Sequence, residues 1–130
     1  MPNTEAVILV VEDNAIIRMA ALELLTRAGF EALEASNADE AIVLLEARSD
    51  IHLVFTDVEM PGTMDGIRLS HYIRERRQPV QLIVASGRTI VEQSHLPEGA
   101  RFFRKPYSDD DLVQSITHMI AGTGGGSAHA

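Results

Sequence analysis

The chain has 130 residues, 19 acidic and 11 basic side chains, a formal charge of −8 and no cysteine. That length holds one compact domain with its own core, and the missing thiols exclude a disulfide framework, a thiolate zinc site and a cysteine nucleophile. The acidic balance argues against direct nucleic-acid binding, which needs a cationic face, and no apolar run is long enough to span a membrane.

The first residues, MPNTEAVILV, lack a basic stretch before the apolar one and do not read as a secretory signal, so a cytoplasmic setting is expected. Charge is uneven: residues 1–65 carry 13 acids against three arginines, residues 66–130 six acids against eight bases. Ten of the eleven bases are arginine, and Lys105 is the single lysine. Acid gathered in one half hints at a cation or a basic partner.

Short apolar runs alternate with helical stripes along the chain. Val7 to Val11 is apolar throughout, as in a strand covered on both faces. Ile17, Ala20, Ala21, Leu24, Leu25 and Ala28 form a helical stripe stopped by Gly29, with Asp13 or Asn14 as its cap. Phe30 to Ala35, half polar, fits an edge strand. Asn37, with Glu40 three residues on, caps a second helix carrying Ala38, Ala41, Ile42 and Leu45.

Leu53 to Phe55 is a third strand running into Asp57, and a loop at 60–63 leads to a helix ending near Arg77. Leu82 to Ala85 is a fourth strand. Residues 89–96 are short, polar and ended by Pro97, so they predict at most a weak helix. Phe102-Phe103 is a brief fifth strand, and Ser108 caps a last helix carrying Leu112, Val113, Ile116, Met119 and Ile120. Five strand-then-helix repeats predict an α/β fold: a parallel sheet with right-handed crossovers and helices on both faces. The ordered unit is expected over 6–121, with a flexible glycine-rich tail over 122–130.

In this class a ligand crevice lies beyond the carboxyl ends of the strands. Glu12-Asp13, Asp57, Ser86-Gly87 and Lys105-Pro106 follow strands one, three, four and five. Singly, each has an ordinary explanation: a helix-start charge, a turn former, loop chemistry, a solvated ammonium. Jointly they bring three carboxylates, a hydroxyl and an ammonium to one sheet edge. Three uncompensated carboxylates so close would raise a pKa or bind a cation, and an all-oxygen set suits Mg²⁺, with Mn²⁺ an alternative.

The motifs VVEDN at 10–14, FTDVEMPGTMDG at 55–66, VASG at 84–87 and FFRKPYS at 102–108 stand in this order and spacing. By them the chain resembles the receiver domains of bacterial two-component response regulators over about residues 6–121. The resemblance implies a flavodoxin-like, doubly wound sheet in strand order 2-1-3-4-5. It implies that Asp57 accepts a phosphoryl group from a histidine kinase or a histidine phosphotransfer protein. Glu12, Asp13, Asp57 and the backbone carbonyl of Glu59 would hold the metal. Lys105 and Ser86 would contact phosphoryl oxygens, and Phe102 would turn inward as Ser86 moves. The Lys105–Pro106 bond would be cis.

Three departures stand out. The loop after Asp57 gains a residue at Gly62-Thr63, Phe102 lacks the more frequent tyrosine hydroxyl, and the weak 89–96 helix lies where the family builds its output surface. Glu59 and Arg88 are expected to pair across the mouth of the site. The five histidines follow no metal-ligand spacing and read as structural or solvated. Phe102 and Arg104, with the Arg74-Arg76-Arg77 cluster, are candidates for contact with an unidentified downstream protein.

The function implied is a phosphorylation-controlled switch rather than a turnover enzyme, with a phosphate sink or relay intermediate as the variant within that class. A haloacid-dehalogenase-type phosphohydrolase shares an Asp nucleophile, Mg²⁺, a hydroxyl and a lysine. It wants an aspartate where Glu59 stands, and a cap for which 130 residues leave no room. A flavin-binding protein would need a hydroxyl-rich phosphate loop where Glu12-Asp13 stand.

Overall fold

The computed structural model describes residues 6–60, 62, 64–77, 79–88 and 91–124, with side chains described as far as Ala121. Five strands, β1 (Val7–Val11), β2 (Glu31–Ala35), β3 (Leu53–Asp57), β4 (Gln81–Ser86) and β5 (Arg101–Arg104), form one parallel sheet in the order β2-β1-β3-β4-β5. The helices are α1 (Ala15–Arg27), α2 (Ala38–Ala47), α3 (Gly66–Arg76) and α4 (Asp109–Gly124). The expected α/β class, strand order and two-faced helix layers are thus observed.

The pleat sorts the core into two layers, because successive strand residues point to opposite faces. Val7, Leu9, Val11, Val54, Leu82 and Val84 pack with Ala41 and Leu45 of α2 and Leu69 and Ile73 of α3. Ile8, Val10, Phe55, Ile83 and Ala85 pack with Leu25 of α1 and Leu112 and Ile116 of α4. β1 is apolar at every position because both of its faces are covered. Each fully buried leucine or isoleucine contributes roughly 1.5–3 kcal/mol of transfer free energy.

The caps follow the sequence closely. Asn14, rather than Asp13, caps α1 by accepting from the backbone N–H of Ile16 and Ile17 at 3.0 Å each. Asn37 accepts from Glu40 N–H at 2.8 Å, and Ser108 Oγ from Asp111 N–H at 2.9 Å. After α1 the chain reverses through Gly29, whose φ of 99° favours a residue without a Cβ.

Three elements differ from expectation. Ile17 and Ala20 of the first helical stripe are exposed, and Ile16 and Met19 are exposed beside them. Among the described residues the fourth crossover contains only a 3-10 turn, Gln93–His95, at a segment whose polar residues offer a helix little apolar face to bury. It is tied down instead by Leu96, by the His71 Nε2 contact to the His95 carbonyl at 2.8 Å and by Arg74 Nε donating to the Glu98 carbonyl. Finally, α4 runs on to Gly124, into the segment expected to be tail; residues 125–130 lie outside the described residues, as do Thr63, Thr89 and Ile90.

Candidate functional site

Parallel pairing aligns the carboxyl ends of β1, β3, β4 and β5 at one edge of the sheet, as Asp57↔Ala85 and Ser86↔Arg104 illustrate. There Glu12 continues the Val10 face, and the small cavity beneath it is bordered by Glu12, Ile17, Phe55, Asp57, Lys105 and Tyr107. One carboxylate oxygen from each of Glu12, Asp13 and Asp57 lies within 4.8 Å of the others. Glu12 and Asp57 are buried and Asp13 is exposed, so the cluster opens to solvent on one side.

Each carboxylate is oriented by its neighbours. Glu12 Oε2 accepts from Asn14 N–H at 3.0 Å, and the Glu12 carbonyl accepts from Arg18 Nη1 at 2.7 Å. Arg18 also holds Glu34 at 2.8 Å, so it ties the end of β1 to the edge strand β2. Lys105 Nζ sits 3.0 Å from Asp57 Oδ1 and 3.6 Å from Glu12 Oε1. The Lys105–Pro106 peptide is cis, as the resemblance implied.

Close packing holds Asp57 from below. Gly66, the first residue of α3, approaches the Asp57 main chain so closely that a Cβ would overlap its carbonyl oxygen. Gly66 N–H donates to the Val58 carbonyl at 3.0 Å, and Asp65 caps the helix by accepting from Arg68 N–H. Tyr107 stacks edge-on against Phe55 and Phe103 at centroid distances of 5.9 and 5.7 Å. Its phenol is pushed up to about 12, first by burial and then by the charges of Asp109, Glu12 and Asp57.

Electrostatics follow from burial and crowding. Burial raises the Asp57 pKa; Lys105 opposes the rise, while the charges of Glu59 and Asp13 add to it. Burial likewise raises Glu12, against the Asn14 N–H and with the Asp57 charge. Burial works against the Lys105 ammonium, yet its contact with Asp57 and the charges of Asp57, Glu12 and Glu59 outweigh it and raise its pKa. Among the described residues no donor meets the buried Asp57 Oδ1 in good hydrogen-bond geometry, although the Lys105 charge is near. Three convergent carboxylates, one with an oxygen short of a donor, fit a hard divalent cation of the Mg²⁺ type.

The structure therefore brings together Glu12, Asp13, Asp57 and Lys105. Ser86 is buried at the end of β4, and its Oγ donates to Glu59 Oε2 at 2.5 Å. That bond was not foreseen from the sequence, which paired Glu59 with Arg88; Arg88 is exposed just past β4. Phe102 lies half-buried on the α3 face of the sheet, packed against that core layer. Arg18, Gly66 and Tyr107 were also not singled out from sequence. An arginine one turn into an apolar helix was a usable signal for the first, and a glycine directly after the Asp65 cap for the second.

A family model for the response regulator receiver domain matches residues 8–117. The transcriptional regulatory protein PdtaR of Mycobacterium tuberculosis is 36% identical over 117 residues, covering 88% of this chain and 56% of PdtaR. Sensor kinase CckA of Brucella abortus is 31% identical over 121 residues, covering 88% of this chain and 12% of the kinase. The solved response regulator receiver protein of Pseudomonas putida superposes with a TM-score of 0.79 at 33% identity, covering 88% of this chain and 97% of that one. The chain thus spans about half the length of PdtaR and a small part of CckA.

Proposed function

The chain belongs to the response regulator receiver domain family, and from that premise we propose that it is a phosphorylation-controlled switch whose acceptor is Asp57. The observation that carries this reading is the meeting of three carboxylates with the ammonium of Lys105 around a buried Asp57 oxygen. In the transfer, an Asp57 carboxylate oxygen bonds to phosphorus while the bond from phosphorus to the donor histidine nitrogen breaks, and that nitrogen keeps the electron pair.

Glu12, Asp13 and Asp57, with the Glu59 carbonyl, would hold Mg²⁺ or Mn²⁺. Such an ion supplies positive charge against the transferring phosphoryl oxygens. Lys105, already 3.0 Å from Asp57, supplies a second positive charge for an equatorial oxygen. Ser86 would donate to another, and Phe102, packed beside α3, would answer its movement. The donor is a histidine kinase or phosphotransfer protein, and a downstream protein reads Phe102, Arg104 and the neighbouring surface. The work is done in the cytoplasm, as a signalling receiver rather than a turnover enzyme. A sink or relay role lies within the same chemistry.

The test is incubation with acetyl phosphate and Mg²⁺, followed by intact mass. A persisting phosphoryl adduct in the wild type, absent from Asp57→Asn and abolished by chelation, supports the switch. Rapid turnover of phosphate esters with no adduct would instead support a hydrolase.

A further inference from the structure

We propose that Glu59 is a latch that keeps the Ser86 hydroxyl engaged until a phosphoryl group arrives, making Glu59 a positioning residue that acts through Ser86. The inference rests on Asp57 being the acceptor and adds the regulation of that site. Ser86 Oγ is fully buried and donates to Glu59 Oε2 at 2.5 Å, the short length of a charge-assisted O–H···O⁻ bond. A hydroxyl has one proton to donate. While Glu59 holds it, Ser86 has none for a phosphoryl oxygen on Asp57.

The same carboxylate lies near enough to Asp57 and Lys105 for its charge to raise the pKa of both. A phosphoryl group would add about two negative charges beside it. Glu59 and the phosphoryl group therefore compete twice, for the Ser86 proton and through like-charge repulsion. Release of Glu59, which is only half-buried, frees the hydroxyl to turn toward Asp57. Phosphorylation then has a built-in threshold, to which the Ser86–Glu59 hydrogen bond contributes.

The experiment is a ¹⁹F NMR titration with beryllium fluoride and Mg²⁺, a stable mimic of the acyl phosphate, on the wild type, Glu59→Gln and Glu59→Ala. Each is prepared with Ser86 intact and as Ser86→Ala, which removes one oxygen and leaves the fold's packing nearly unchanged. Glu59→Ala should tighten the apparent Kd roughly tenfold, the worth of a charged hydrogen bond, and Glu59→Gln should tighten it less, because an amide still accepts from Ser86. In the Ser86→Ala background the gain should shrink to the part that relief of like-charge repulsion supplies, since the hydrogen-bond part needs both residues. Equal gains in both backgrounds, or none in either, would overturn the latch. A wild type that neither binds the mimic nor takes phosphoryl from acetyl phosphate would overturn the acceptor assignment beneath it.

Discussion

Gly66 packs directly against the main chain of Asp57: a Cβ there would overlap the Asp57 carbonyl oxygen and stand 2.8 Å from its carbonyl carbon. The contact is backbone to backbone, so no rotamer change can relieve it. Gly66→Ala should therefore cost about 2–3 kcal/mol of stability, the range for forced overpacking. It should also shift Asp57 away from Glu12 and Lys105. Urea unfolding and acetyl-phosphate labelling below the transition check the two effects; a stable, fully labelled variant would contradict the packing account.

Metal binding should be visible as stability. A cation bound only by the folded state raises the unfolding free energy by RT ln(1 + [L]/Kd), about 1.4 kcal/mol at ten times Kd. Thermal unfolding in Mg²⁺ against chelator should show an upward shift in the wild type. Asp13→Asn, at the exposed member of the cluster, should lose most of it. An undiminished shift in that variant would place the cation elsewhere.

The pH dependence follows from the sign of the shifts. Asp57 is raised from its ordinary value of 3.8 and Glu12 from 4.5, so between those values and their folded ones the native state holds more protons than the unfolded chain. Stability from these groups is present at lower pH and is lost as pH rises through the folded values. In chelator, Asp57→Asn should unfold at a higher temperature than wild type at neutral pH, with the difference shrinking below the ordinary aspartate range. Paired melts from acid to neutral pH measure it, and a constant difference would contradict the buried-charge explanation.

Arg18 should matter more than an exposed arginine on an acidic protein would. It donates to the Glu12 carbonyl at 2.7 Å and to Glu34 at 2.8 Å. Arg18→Ala should lose on the order of 1–2 kcal/mol, mainly from the backbone acceptor left without its charged donor. It should also weaken Mg²⁺ binding by loosening the end of β1. Unfolding and Mg²⁺ titration together test this, and Mg²⁺ affinity equal to wild type would remove Arg18 from the site.

Much of this was legible in the residues because each step is local. The unbroken apolar run at Val7 to Val11 marks a strand covered on both faces, and Asn37 and Ser108 announce their helices by side-chain caps. Once parallel strands are accepted, Glu12, Asp57, Ser86 and Lys105 must share an edge. What was not legible depends on distances between elements. Nothing in one dimension says that Glu59 meets Ser86, or that Gly66 presses on Asp57. The exposure of Ile17 likewise depends on how α1 seats against the sheet, which helical periodicity does not contain.

The central claim is that Asp57 carries the phosphoryl group, and the most direct measurement is to find it there. Reduction of freshly phosphorylated protein with borohydride converts an aspartyl phosphate to homoserine, which peptide mass spectrometry locates. The account predicts homoserine at position 57, formed only with Mg²⁺ present. Homoserine at position 13, or an unmodified position 57 in protein that carries the adduct, would contradict it.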